Sequence, residues 1–137
     1  MAETFRLEIT TPERRVVRED VEEAQIPLRN GYIGVLPGHA PLIGEMKPGE
    51  ISYRRLGRTE HLAITGGFVE VLPDQTKVLV DAAERVEEID VPRAEAARRR
   101  AEERLQGGHA DTDIARATVA LERAVVRLQV AGRKMKS

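Results

Sequence analysis

Apolar and polar residues alternate along the first 85 or so residues of the chain. Phe5, Leu7 and Ile9 alternate with polar neighbours, which is the pattern of a strand with one buried face. Similar segments lie at 23–28, 32–36, 50–56, 61–65, 68–72 and 77–81, with Gly, Pro and Asn turn signals between them. Because no helical stretch separates these strands, parallel βαβ crossovers are not expected. The pattern predicts an antiparallel β-sandwich or barrel over residues 1–85.

From residue 86 the apolar positions recur every three or four residues, and residues 86–137 are predicted to form two helices. Asp90 is a suitable N-cap for the first helix, and Pro92 is tolerated in its first turn. Gly107-Gly108 ends this helix, and the short connection predicts an antiparallel helical hairpin. The second helix has three candidate caps, which are Asp111, Thr112 and Asp113.

The apolar stripes of the two predicted helices bury little surface. In the first helix the stripe consists of Ala94, Ala97, Ala101 and Leu105. The second helix carries two stripes, one of Ile114, Ala117, Leu121, Val125 and Leu128 and one of Val119, Val126 and Val130. Because burial contributes only ~25 cal/mol per Å², an alanine seam leaves the hairpin marginally stable by itself. The hairpin must pack on the sandwich, a ligand or a partner, and it is a candidate moving part.

Composition narrows the class of protein. Hydrophobic residues make up 41% of the chain and aromatic residues only 3%, so the core must be aliphatic. The chain has no cysteine, which excludes disulfides and fits a reducing compartment. It has no apolar signal region at its start and no apolar run near the roughly 18 residues of a membrane span. Any association with a membrane is therefore expected to go through a partner.

The charge is unevenly distributed along a chain with a net charge of -1. Residues 1–85 carry 11 basic and 14 acidic side chains, and residues 86–137 carry 11 basic and 9 acidic ones. After Asp113 only Glu122 is acidic, against six basic residues, which are Arg116, Arg123, Arg127, Arg133, Lys134 and Lys136. The last helix is thus expected to favour an acidic partner surface, a nucleotide or a nucleic acid.

Several functional classes find no support in the residues. Gly66-Gly67 lacks the Lys-Ser/Thr of a P-loop and reads as a turn. The three histidines, His39, His61 and His109, show no metal-ligand spacing. A nucleophile, a base and an orienting group do not occur together, so an enzyme is not expected. A nucleic-acid binder is disfavoured because aromatic stacking residues are absent from the C-terminal half.

Four arginines form the main candidate site. Arg93 and Arg100 lie two turns apart on one face of the first helix, and Arg123 and Arg127 are i, i+4 neighbours on the second. An antiparallel hairpin brings all four towards a common region, where their planar donors suit a phosphorylated ligand. The alternative is that they are solvated helix faces, which pair with nearby acids such as Glu84, Glu95 and Glu103.

Four runs of residues, taken in order, resemble one family over nearly the whole chain. They are Gly-Val-Leu-Pro-Gly-His-Ala-Pro-Leu at 34–42, Leu-Ala-Ile-Thr-Gly-Gly-Phe-Val-Glu-Val at 62–71, Ala-Ala-Glu-Arg at 82–85 and Ile-Asp-x-x-Arg-Ala at 89–94. Together these runs resemble the epsilon subunits of bacterial F-type ATP synthases. One oddity is Pro92, which stands at a variable position of the last motif and is expected to stiffen the hinge.

The resemblance implies an N-terminal β-sandwich and a C-terminal helical hairpin in a non-catalytic subunit. It implies a place in the central rotor stalk, bound to the γ subunit and to the membrane c-ring at the cytoplasmic face of the bacterial cell membrane. In this family the hairpin folds against the sandwich or rises along γ into the α/β ring. In the raised position it restrains ATP hydrolysis.

The resemblance also implies a regulatory ATP site in the folded form of the hairpin. Some bacterial members bind ATP through the Ile/Leu-Asp-x-x-Arg-Ala motif, a preceding Glu and later arginines. In this sequence those positions are Glu84, Ile89, Asp90, Arg93, Ala94, Arg100, Arg123 and Arg127. The alternative is a structural adaptor of the same stalk that binds no nucleotide.

Overall fold

The computed structural model describes residues 3–107 and 113–133 and shows strands followed by a helical hairpin. The strands are β1 (Phe5–Thr10), β2 (Arg15–Val21), β3 (Glu23–Leu28), β4 (Gly31–Val35), β5 (Leu42–Met46), β6 (Gly49–Arg55), β7 (Arg58–Ile64), β8 (Gly67–Val71), β9 (Gln75–Val80) and β10 (Ala83–Arg85). A 3-10 turn at Val86–Glu88 leads to α1 (Val91–Gln106) and α2 (Ile114–Ala131). The predicted fold, an N-terminal β-sandwich followed by a helical hairpin, is confirmed.

The strands form one continuous sheet that folds over a single core. Their order is β10-β7-β6-β3-β5-β8-β9-β1-β2, and β4 pairs with β3 outside this path. Phe5, Leu7 and Ile9 of β1 are at most 2% exposed, which confirms the alternation predicted for this strand. The core also includes Ile51 and Leu62, both completely buried on the neighbouring strands β6 and β7.

Three strands were not predicted from the sequence, and one pair of strands is parallel although parallel pairs were not expected. In β2 the adjacent Val16 and Val17 are both buried, so the strand lacks the two-residue period that marks β1. β5 buries only Met46, and β10 has only three residues, so neither shows a strand pattern in the sequence. Among the described strand pairs β1 and β9 are parallel and the others are antiparallel. β1 and β9 need no helical crossover, because along the chain they are connected through the other strands of the sandwich.

The helix ends follow from local capping chemistry. The side chain of Asp90 accepts a hydrogen bond of 3.1 Å from the backbone N–H of Arg93, which confirms it as the N-cap of α1. Asp113 caps α2 in the same way, accepting from Arg116 at 3.0 Å. α1 ends at Gly107. Four residues named above as cap, stop or histidine candidates lie outside the described residues, namely Gly108, His109, Asp111 and Thr112.

Small residues form the seam of the hairpin. Ala94 and Ala101 are buried on α1, and Ala117 and Ala124 are buried on α2, and the members of each pair are seven positions apart. This spacing keeps each pair on one face of its helix and lets the backbones approach closely. The long stripe predicted for α2 was partly wrong, because two of its members are exposed, Ile114 by 67% and Val125 by 45%. α2 meets α1 and the sandwich on different sides, so no single stripe describes its buried positions.

The hairpin is folded down on the sandwich. α2 packs against β6, β7 and the 3-10 turn, while α1 packs mainly against α2. The alanine seam is separate from the core of the sandwich. Over the residues that the structure describes, neither helix is long and apolar enough to cross a lipid bilayer.

Candidate functional site

An ion pair joins the predicted site residues of the sandwich and the hairpin. Strand β10 pairs with β7, with Glu84 opposite Ala63, and this pairing fixes Glu84 beside α2. The Nε of Arg127 donates to Oε1 of Glu84 at 2.6 Å. Their side chains are 35% and 26% exposed, so the pair is partly sheltered from water. The contact depends on a folded hairpin, because its two members belong to different parts of the molecule.

A cavity of about 350 Å³ lies at this junction. Its lining residues come from the sandwich and from α2 and are Ala63, Ile64, Thr65, Asp81, Ala82, Glu84, Arg123 and Arg127. Arg123 and Arg127 stand one helical turn apart, so both guanidinium groups are available to one ligand. A wider cleft of about 680 Å³ shares Asp81 and Arg123 with this cavity and extends along the outer face of β8 and β9.

The motif residues of α1 lie apart from this cavity. Arg93 and Arg100 are exposed on α1 and are not among the residues that line it. Ala94 is 1% exposed in the hairpin seam, and Ile89 is half-buried just before the helix. The structure therefore brings together Glu84, Arg123 and Arg127 and leaves the α1 arginines at the surface. The assignment of the eight residues to a nucleotide site stays a prediction.

The linker before α1 is fixed to the sandwich. Arg14 and Glu88 form an ion pair of 2.6 Å, and Oε1 of Glu88 accepts a hydrogen bond from the backbone N–H of Arg85. The Nη2 of Arg85 donates to the carbonyl of Val16 at 3.0 Å. The Arg85 hydrogen bond, and then Arg14, lower the pKa of Glu88 below its ordinary value. These side-chain contacts end at Glu88, and Ile89 and Asp90 connect the turn to α1.

Sequence reasoning missed two polar residues of the cavity. Asp81 and Thr65 lie at the ends of β9 and β7, where the alternating pattern predicted only strand termini. The Thr65 hydroxyl accepts a 3.0 Å hydrogen bond from the backbone N–H of Ala82, which holds the two strand ends together. Thr65 falls within the run at 62–71, but nothing in that run points to a ligand contact, because Thr65 and Asp81 come together only through the pairing of β7 with β10. Within residues 3–107 and 113–133, no group of three or more His, Asp or Glu side chains is arranged to hold a metal ion.

Comparison with protein families covers both parts of the molecule. Residues 4–86 match the description "ATP synthase, Delta/Epsilon chain, beta-sandwich domain" and residues 87–132 match "ATP synthase, Delta/Epsilon chain, long alpha-helix domain". The chain belongs to the ATP synthase epsilon-chain family. Members of this family are non-catalytic subunits of the complex, and this chain is such a subunit rather than an enzyme in its own right.

Individual relatives match three quarters or more of this chain. The ATP synthase epsilon chain of Solibacter usitatus is 47% identical over 134 residues, which cover 98% of this chain and 100% of the relative. That of Koribacter versatilis is 58% identical over 106 residues, covering 77% and 75% of the two chains. A chain in the cryo-EM structure of the Euglena gracilis mitochondrial ATP synthase, OSCP/F1/c-ring, superposes with a TM-score of 0.82 at 25% identity, covering 96% of this chain and 82% of that one.

Asp90 offers a direct test of its capping role. We expect Asp90→Ala to destabilise the first turn of α1 by about 1 kcal/mol, because the Arg93 N–H loses its acceptor. The measurement is amide hydrogen exchange in α1. Asp90→Ser keeps a capping oxygen and is expected to exchange like the native chain. If the serine variant exchanges as fast as the alanine variant, the carboxylate has a role other than capping.

Proposed function

We propose that this epsilon chain is a coupling subunit of the central rotor stalk whose mobile hairpin senses ATP and restrains ATP hydrolysis. The observation that carries the proposal is the meeting of Glu84, Arg123 and Arg127 at a cavity between hairpin and sandwich. A ligand in that cavity contacts both parts of the molecule at once. Its binding energy therefore favours the folded hairpin over any arrangement in which the two parts separate.

A nucleoside triphosphate fits the chemistry of this junction. Two guanidinium groups one turn apart offer planar, bidentate donors for phosphate oxygens. Arg93 and Arg100 are exposed on α1, so their long side chains can change rotamer towards the ligand without unpacking the seam. Four like charges gathered at one place repel each other, and a triphosphate reverses the sign of that energy. ATP thus favours the folded state more than an uncharged ligand would.

The packing of the hairpin supports a two-state element. Among the described helix residues the buried side chains are four alanines and Val130, and none of them belongs to the sandwich core. The attachment to the sandwich also includes ion pairs. Elements with few buried apolar contacts open at low free-energy cost. To move such an equilibrium from 1:99 to 99:1, a ligand needs about 5.5 kcal/mol of differential binding. Several charge-assisted hydrogen bonds of ~1.5–3 kcal/mol each are enough, even after ordering costs.

The outer face of the sandwich suits a partner in the rotor. Phe68 and Leu79 face each other across β8 and β9 and are 60% and 59% exposed, and Ile43 on the neighbouring β5 is 77% exposed. Exposed apolar side chains grouped on one sheet face are typical of protein interfaces. We assign this face to the γ subunit. We also propose the c-ring as a second partner of the sandwich and a position at the cytoplasmic face of the bacterial cell membrane through the complex, as the family resemblance implies.

The raised hairpin would meet the catalytic α/β ring. In the described part of α2, the basic residues outnumber the single acid Glu122, so the helix favours an acidic surface. Docking there would oppose ATP in setting the position of the hairpin. Low ATP would then favour the raised, inhibitory form, and high ATP the folded form seen in the structure.

A structural adaptor without nucleotide is the second candidate. It is favoured by the Glu84 contact, which already gives Arg127 an anionic partner at 2.6 Å. Titration of ATP into the isolated chain by calorimetry separates the two. We expect saturable binding at or below millimolar ATP. If no binding is detected up to that concentration, the structural adaptor is the candidate that remains. Hydrolysis by the reconstituted catalytic ring should also rise when residues 86–137 are removed, and an unchanged rate would contradict the inhibitory role.

A further inference from the structure

A second polar contact joins α2 to the sandwich, away from the cavity. Glu50 lies on β6 and its side chain is 8% exposed, beneath the C-terminal end of α2. Arg133 donates two hydrogen bonds to this carboxylate, from Nε to Oε2 at 3.0 Å and from Nη2 to Oε1 at 2.7 Å. Bidentate pairs of this kind are among the strongest polar contacts in proteins. Neither residue lines the cavity assigned to ATP.

Two more groups complete the cluster around Glu50. The side-chain amide of Gln129, one turn before Arg133, donates to Oε1 at 3.3 Å. On the sandwich side, Nδ1 of His61 lies 3.0 Å from Oε2. The ring nitrogen is buried without hydrogen-bond geometry, so this is a close electrostatic contact rather than a hydrogen bond. The backbone is fixed as well, because the N–H of Glu50 donates to the Tyr32 hydroxyl at 3.1 Å.

The cluster keeps Glu50 charged. Burial by itself raises the pKa of this carboxyl, but the hydrogen bonds and positive charge of Arg133, the charge of His61 and the Gln129 amide hold the pKa below its ordinary value. A buried carboxylate without partners is strongly unfavourable. Raising α2 removes both Arg133 and Gln129 from Glu50 together. Raising the hairpin therefore carries a cost at this point.

We propose that Glu50, with Arg133, Gln129 and His61, is a latch that holds the C-terminal end of α2 on the sandwich whether or not nucleotide is bound. This inference rests on the proposed mobile hairpin and adds a second control to it. Arg133 lies six residues beyond Arg127, about 9 Å along a helix, so latch and cavity act on separate turns. The latch raises the folded fraction before ATP arrives. Because apparent affinity scales with that fraction, it also tunes the ATP concentration at which the hairpin responds.

The latch is tested in the full chain without ATP. The chain contains no cysteine, so Asp74→Cys and Glu122→Cys place one spin label on the sandwich and one on α2 for distance measurement. We expect the docked distance to predominate in the otherwise native chain, beside a minor undocked population. Arg133→Gln should enlarge that population and raise the ratio of undocked to docked molecules at least tenfold. The substitution lies outside the sandwich, so it leaves the folding of that part intact.

Matched variants make the result specific. Arg29→Gln removes an equal charge from an exposed ion pair between two residues of the sandwich, Arg29 and Glu45. It should leave the distances between the labels unchanged. Glu50→Gln should undock α2 as Arg133→Gln does, and the double variant should add no more than twofold to either single one. Distances unchanged by Arg133→Gln, or a native chain already undocked without ATP, would overturn the latch.

An ATP titration of the same labelled chains separates this inference from the proposed function. In Arg133→Gln, we expect docking to return at an ATP concentration at least threefold higher than the native chain needs. If ATP changes neither chain, nucleotide sensing fails, while the ATP-free distances still decide the latch. If both chains respond at the same ATP concentration and have the same ATP-free distances, the latch fails and nucleotide sensing stands.

Discussion

Replacing Arg127 with alanine is expected to weaken ATP binding to the isolated chain by roughly 10- to 100-fold. Arg127 lines the cavity at the junction and is held there by Glu84 at 2.6 Å. Removing the guanidinium deletes charge-assisted hydrogen bonds to phosphate and leaves the Glu84 carboxylate facing the ligand alone. Both effects have the same sign, so no compensation between them is expected. Calorimetry of the two chains under one buffer and salt condition measures the change.

Two further variants isolate the cause of that loss. Arg116→Ala removes the same charge from an exposed position near the start of the same helix and outside the cavity, so its affinity should stay within about twofold. Arg127→Lys keeps the charge but loses the planar fork, and it should fall between the native chain and the alanine variant. If Arg127→Ala and Arg116→Ala bind ATP equally well, Arg127 does not contact phosphate.

The alternating strands were predictable because their signal is local. β1 and β9 each bury every second side chain, and the sequence shows this directly. β2 was not predictable, since its adjacent valines are both buried and its remaining residues are largely charged. β5 faces outward with Ile43 and Glu45, so apolar and charged residues share one face. Such strands are defined by their neighbours in the sheet rather than by their own pattern.

In the hairpin as well, features that depend on local sequence were predictable, and features that depend on tertiary packing were not. The caps Asp90 and Asp113 follow from side-chain chemistry within four residues and are legible in the sequence. The seam depends on which helix face meets the partner. The alanines at 94, 101, 117 and 124 form it, whereas larger apolar residues such as Ile114 remain exposed. Close approach of two backbones, and not side-chain hydrophobicity, decides that choice.

Some polar residues between the hairpin and the sandwich were predictable from the sequence, and others were not. Arg123 and Arg127 stood out because helical spacing places them together, and the structure has them lining one cavity. Glu50 gave no such signal, because it opens the predicted strand 50–56 and nothing in the sequence marks its carboxylate as buried. Its burial comes from α2, which is more than 60 residues away along the chain. Interactions of that range require the folded arrangement of the hairpin on the sandwich.

Gly67 is the position at which a single methyl group should do most damage to the sandwich. It pairs with Met46 of β5 and with Val80 of β9, between two neighbouring strands. A Cβ atom there would lie 2.1 Å from the carbonyl oxygen of Leu79 and 3.0 Å from the Val80 Cα. These are backbone atoms, so they cannot relieve the clash by a change of rotamer as a flexible side chain can. Gly67→Ala should therefore lower the free energy of unfolding by about 3 kcal/mol or more.

Gly34→Ala is the matched control for that substitution. It also adds one methyl group within a strand, but its closest neighbour is the flexible end of Gln25, at 3.2 Å. The loss there should stay below about 1 kcal/mol. Urea unfolding followed by tyrosine near-ultraviolet circular dichroism reports on the sandwich, because Tyr53 is only 3% exposed in its core. Equal midpoints for the two variants would mean that β8 and β9 can separate freely. Gly67, which read as part of a turn in the sequence, would then have no steric role in the sheet.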